Sequence, residues 1–142
     1  MPFAPNASPG YLVNHLARTL AAALQTRIKP MGLSTGVFPV MLHLWQQDGL
    51  TQRDLVFRVG VEQATMANTL ARMERDGLVL RRPDPEDGRI RRIWLTEKGR
   101  GLLDEATAAA AEENENVLSG LPAAERDQLV ELLRKAINSR EA

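Results

Sequence analysis

The chain has no cysteine, which excludes disulfides, thiolate metal sites and cysteine nucleophiles. Aromatic residues make up 4% of it, with two tryptophans and one tyrosine. No apolar run approaches the roughly 18 residues that a membrane span needs, and the first ten residues lack a basic and apolar leader pattern. The expectation is a soluble cytoplasmic protein with no membrane partner. There is also no net charge, with 18 basic and 18 acidic residues. The balance is uneven along the chain: residues 1–49 carry +2, residues 50–100 carry +3 and residues 101–142 carry −5. A basic middle and an acidic tail fit nucleic-acid binding confined to the middle. The hydrophobic fraction of 44% and the 142-residue length fit one compact domain, or one domain with appended helices.

Enzymatic readings find little support. The only histidines, His15 and His43, fall on different predicted helices. Metal-ligand spacing, a phosphate-binding loop and a nucleophile elbow are all missing, so no cofactor, no metal and no enzymatic activity are expected. The histidines read as core or interface residues, and Trp45 and Trp94 as packing residues.

What is present is helical periodicity. Ser8-Pro9 opens a first helix with the stripe Val13, Leu16, Leu20, Leu24 and Ile28. Alanines between these positions make it apolar over much of its circumference, so it needs cover on more than one side. A second helix follows Ser34 or Thr35 and carries Val37, Val40, Met41, Leu44 and Trp45. Thr51 and Asp54 have capping-box spacing at the start of a third. A fourth runs from Gln63 to Asp76 with Met66, Leu70 and Met73 inward. Two short helices joined at Gly60 form a helix-turn-helix pattern. Leu78–Arg82 and Arg91–Thr96 read as strands of a two-stranded hairpin, with residues 83–88 as its turn. A long fifth helix is predicted from Thr96-Glu97 to near Gly120, and a sixth opens at Pro122. The fold class is mainly α with a small β-wing: a winged helix-turn-helix over residues 34–96, with a helical dimerisation domain from residues 1–33 and 97–142.

The outer face of the fourth helix presents Gln63, Thr65, Asn68, Arg72 and Arg75, and Thr65, Asn68 and Arg72 fall on one line. These residue types suit the major groove, where Asn and Gln pair with adenine and Arg with guanine. An ordinary solvated helix face shows the same composition, so the wing has to be read with it. Arg89 sits near the hairpin tip as a minor-groove candidate, with Asp87 placed to orient it. The alternative for this pair is a weak surface ion pair. Arg81, Arg82, Arg91 and Arg92 are candidate phosphate neutralisers, and at least one of them can instead fix the wing to the domain.

The stretch from Leu33 to Thr96 resembles the MarR family of transcriptional regulators. The resemblance rests on "LTQRDL" at 50–55, "VEQATMANTLARMERDGLVLR" at 61–81 and "RRPDPEDGRIRRIWLT" at 81–96. The last segment contains the Asp87-x-Arg89 pair and the closing Leu95-Thr96, followed by Lys98-Gly99. Residues 8–30 and 100–138 are similar in helix order and composition only. Glu62 departs from the family's short capping residue, and Gly88 from a frequent basic one. The resemblance implies a homodimeric, sequence-specific regulator of double-stranded DNA, usually a repressor, acting on a pseudo-palindromic operator. It also implies a small aromatic or lipophilic effector, for which His15, Arg18, Phe38 and His43 are the candidate pocket residues. The competing readings are a winged-helix protein–protein interaction module and a ligand-binding module, neither with a DNA function.

Overall fold

A computed structural model describes residues 2–141, with side chains described to residue 140. Seven α-helices are present among the described residues: α1 (Pro9–Ile28), α2 (Phe38–Gln46), α3 (Gln52–Val59), α4 (Gln63–Arg75), α5 (Glu97–Gly101), α6 (Leu103–Val117) and α7 (Ala123–Glu141). Three strands, β1 (Leu50–Thr51), β2 (Val79–Pro83) and β3 (Arg91–Leu95), form one antiparallel sheet in the order β1-β3-β2. The chain divides into two compact units, residues 1–23 with 110–142, and residues 24–109.

The second unit holds the core. Met41 and Leu44 of α2, Leu55 of α3, Met66, Leu70 and Met73 of α4, and Val79 and Ile93 of the sheet are all buried. Each set falls on the stripe its periodicity marks: three to four residues in the helices, two in the strands. In β3 the alternation puts Ile93 and Leu95 inward and Trp94 outward. Thr51 caps α3 as a reciprocal box: its Oγ1 accepts from the Asp54 amide, and an Asp54 carboxylate oxygen accepts from the Thr51 amide, each at 3.0 Å.

Two elements differ from the sequence expectation. The hairpin has a third strand, because Leu50 and Thr51 pair with Ile93 and Arg92. The long fifth helix is broken at Leu102 into α5 and α6. Gly99 and Gly101 weaken the helix there. The Trp45 indole Nε1–H also donates to the Gly99 carbonyl at 2.9 Å, occupying an acceptor that a continuous helix would use. Gly99 cannot carry a side chain without striking the Leu78 carbonyl, so α5 lies close against the start of β2.

In the first unit, α7 has no buried residue among those described, and Val130, Leu132, Leu133 and Ile137 are exposed. Together α1 and α7 line an apolar groove of about 290 Å³ built from Leu12, Val13, Leu16, Ala17, Leu20, Leu129 and Leu133. No described helix is long and apolar enough to cross a membrane.

Candidate nucleic-acid interface

Two parts of the 24–109 unit bear the candidate residues: the outer face of α4 and the hairpin tip. The chain enters α4 through Gly60, at φ 78°, and through the extended Glu62. Glu62 makes no side-chain cap bond, as its long side chain suits that position poorly. Met66, Thr69, Leu70 and Met73 bury the inner face, and Thr69 closes its own hydroxyl onto the Thr65 carbonyl at 2.9 Å. Gln63, Thr65, Asn68, Arg72 and Arg75 are exposed. Among the described residues, the side chains of Gln63, Asn68 and Arg75 have no hydrogen-bond or ion-pair partner, so their donors and acceptors are free for a ligand. Arg72 differs. Its guanidinium lies against Gly36, with Nη2 3.3 Å from where a Cβ would stand. It also lines a cavity of about 300 Å³ with Lys29, Ser34 and Asp76.

At the tip, Asp87 grips Arg89 as a fork. Nε donates to Oδ1 at 3.1 Å and Nη2 to Oδ2 at 3.3 Å, while the Arg89 amide also donates to Oδ1 at 3.1 Å. The Arg89 side chain remains 91% exposed. Its guanidinium holds the Asp87 carboxyl below the usual range, helped by the Arg89 amide and opposed by desolvation and the charge of Asp84.

The other wing arginines separate into three roles. Arg82 and Arg91 are exposed, without a side-chain partner among the described residues. Arg81 is half-buried, 3.8 Å from Glu74 of α4, with its Nε enclosed and unbonded. Arg92 is tied down, donating to Asp84 and to the Gly49 carbonyl.

Two acids that organise this region carry little signal in the sequence. Asp48 reads only as a helix terminator, yet its Oδ1 accepts from the amides of Gly49 and Leu95, and its Oδ2 pairs with Arg100 at 3.2 Å. Asp84 reads only as a turn residue. Its position in Pro-Asp-Pro was the one available signal, since an Asp there commonly bonds the backbone two residues on.

The four effector candidates fall in two places. His15 and Arg18 are exposed on α1 in the first unit, with the Tyr11 ring 6.1 Å from His15. In the second unit Phe38 is buried edge-on to Trp45, at 6.0 Å and 77°. His43 is half-buried there, and burial, then the charge of Arg58, lowers its pKa. No described group of three or more His, Asp or Glu is arranged to hold a metal ion.

A helix-turn-helix followed by a β-hairpin that completes a three-stranded sheet with the strand before it defines a winged-helix protein. The model of the MarR family matches residues 33–90. The chain carries a MarR family domain, and its fold is that of MarR transcriptional regulators. It superposes with a TM-score of 0.86 on BpsR of Bordetella bronchiseptica, with 29% identity over 96% of this chain and 97% of that one. That structure concerns regulation of DNA binding by 6-hydroxynicotinic acid. PcaV of Streptomyces coelicolor, solved in complex with its natural ligand, gives 0.86 and 26% identity over 99% of each chain. A MarR transcriptional regulator from Methanosarcina mazei gives 0.84 and 27%, covering 92% and 94%.

Proposed function

We propose that the protein is a cytoplasmic, homodimeric transcriptional regulator, a repressor, that binds double-stranded DNA sequence-specifically and is released by a small aromatic or lipophilic effector. The observation that carries the DNA reading is the pairing of a free polar face on α4 with a projecting, carboxylate-gripped Arg89. Gln63, Thr65, Asn68, Arg72 and Arg75 enter the major groove. Arg89, oriented by Asp87, enters the minor groove, where narrow sequences concentrate negative potential. Arg82 and Arg91 neutralise phosphates, and Arg81 joins them only by leaving Glu74.

Residues 1–33 and 97–142 form the pairing domain and residues 34–96 the DNA-binding domain. The apolar groove of α1 and α7 supports the dimer, because exposed apolar surface of this kind marks an interaction site. Two-fold symmetry then requires a near-palindromic operator with half-sites about 34–36 Å apart or a multiple of that. The effector reading is supported by BpsR, whose structure concerns regulation of DNA binding by 6-hydroxynicotinic acid, and by PcaV, solved with its natural ligand.

The test is to sequence the genomic fragments that the purified protein retains at physiological salt. Enrichment of a shared inverted repeat is the expected result. Retention without any shared sequence overturns the sequence-specific reading, and no retention at all overturns the DNA reading in favour of a protein-interaction module.

A further inference from the structure

The register of the hairpin sets Arg82 directly opposite Arg92. Like charges facing each other across a ladder repel, and the structure answers this at Arg92. Its Nε donates to Asp84 Oδ2 at 2.6 Å, and its Nη1 donates to the Gly49 carbonyl at 2.9 Å. Asp84 is nearly enclosed, with its side chain 13% exposed. Its other oxygen accepts from the amides of Glu86 at 2.8 Å and Asp87 at 3.1 Å. Asp87 in turn holds Arg89. A continuous run of bonds therefore leads from the Gly49 carbonyl in the body of the domain to the guanidinium at the tip.

We propose that Arg92 and Asp84 are positioning residues that aim the wing, and that Arg92 binds no phosphate. The proposal rests on the reading that the wing meets DNA. A pair of five-residue strands is marginal by itself, and the tip, residues 84–89, has no side chain in the core. Something must set the angle at which the tip projects. A guanidinium does so because its planar fork bonds two acceptors in fixed directions, which an ammonium cannot do. Asp84 adds the second constraint by joining that fork to the backbone of the turn. A reading group held too loosely loses its contact even though it is present.

The test uses the full-length protein and a duplex that the wild-type protein selects from a random-sequence pool. Arg92→Lys keeps the charge and the stem but loses the fork. It is expected to weaken binding about tenfold, the scale of one charge-assisted hydrogen bond. Arg92→Met is expected to weaken it to the same extent, with the slope of affinity against salt unchanged. A phosphate ligand behaves oppositely: lysine restores affinity, and methionine makes the slope shallower by about one unit. Either of those results overturns the proposal. Asp84→Ala is expected to weaken binding although it removes a negative charge near DNA, and tighter binding contradicts the account.

A second readout is independent of DNA. In Asp84→Ala and Arg92→Lys, the heteronuclear NOE of the Glu86, Asp87 and Arg89 amides is expected to fall to flexible-loop values while the melting curve stays cooperative. Unchanged NOE values overturn the positioning role. If the wild-type protein selects no duplex, the DNA reading fails, and the NOE values alone decide whether these residues order the tip.

Discussion

The amide of Leu95 donates to the carboxylate of Asp48 at 2.9 Å, across 47 positions of sequence. The same oxygen accepts from the Gly49 amide at 3.1 Å, so one acid joins the end of α2 to the inner strand of the wing. Replacing Asp48 with alanine leaves the Leu95 amide without this acceptor. The expected cost is about 1–3 kcal/mol, measured as a lower urea midpoint at unchanged m-value. Asp48→Asn retains an acceptor oxygen and should cost less. Equal losses for the two variants contradict this role.

Asp54 links stability to pH. The Thr51 amide, first, and then the Thr51 hydroxyl and the charges of Arg58 and Arg92 hold its carboxyl below the ordinary aspartate range, against the opposing effect of desolvation. A folded-state pKa depressed below the unfolded one contributes stability that is fully present above the unfolded value. It is lost as pH falls through the folded value. The stability gap between wild type and Asp54→Asn should therefore be constant near neutrality and close as acid protonates the carboxyl. Denaturant melts at a series of pH values measure it, and a gap that widens in acid contradicts the assignment.

The helices and the wing were legible in the sequence because their apolar residues repeat at the periods that bury one face. Met66, Leu70 and Met73, and Ile93 with Leu95, lie inward as the spacing requires. The Thr51–Asp54 box and the Asp87–Arg89 pair were legible for a different reason: both are local, separated by three and two residues. What escaped the reading is non-local. A two-residue strand such as Leu50–Thr51 carries no period, and only its partner Ile93 defines it. At the break at Leu102 the two glycines are local, but the indole that bonds the Gly99 carbonyl lies 54 residues away in sequence. The bonds of Arg92 to Asp84 and to Gly49 span 8 and 43 positions, and composition alone gives Arg92 the same role as Arg91.

Asn68 is exposed on α4 with its side-chain carbonyl and NH2 both unbonded among the described residues, the arrangement for bidentate pairing with adenine. Asn68→Ala is expected to weaken binding to the selected operator by about 1–3 kcal/mol. Binding to random duplex should hardly change. Fluorescence anisotropy on both duplexes separates these terms, and an equal loss on the two shows that Asn68 does not read bases.

Arg89→Ala should leave folding within about 0.5 kcal/mol of wild type, since the side chain is exposed and, among the described residues, bonds only to Asp87. Affinity should fall, and the salt dependence should become shallower by about one unit if a whole ionic contact is lost. Asp87→Ala separates two roles by sign. An orienting carboxylate weakens binding when removed, whereas a bystander acid near DNA strengthens it. Tighter binding by Asp87→Ala leaves Arg89 as a diffuse charge only.

Paired copies of this chain are expected to read DNA sequence through α4 and the wing. The most direct measurement is equilibrium binding of the wild-type protein, at physiological salt, to its selected inverted repeat and to the same duplex with both half-sites scrambled. The expected result is one dimer per repeat and an affinity at least about 10³-fold higher for the repeat. Equal affinity for the two duplexes contradicts it.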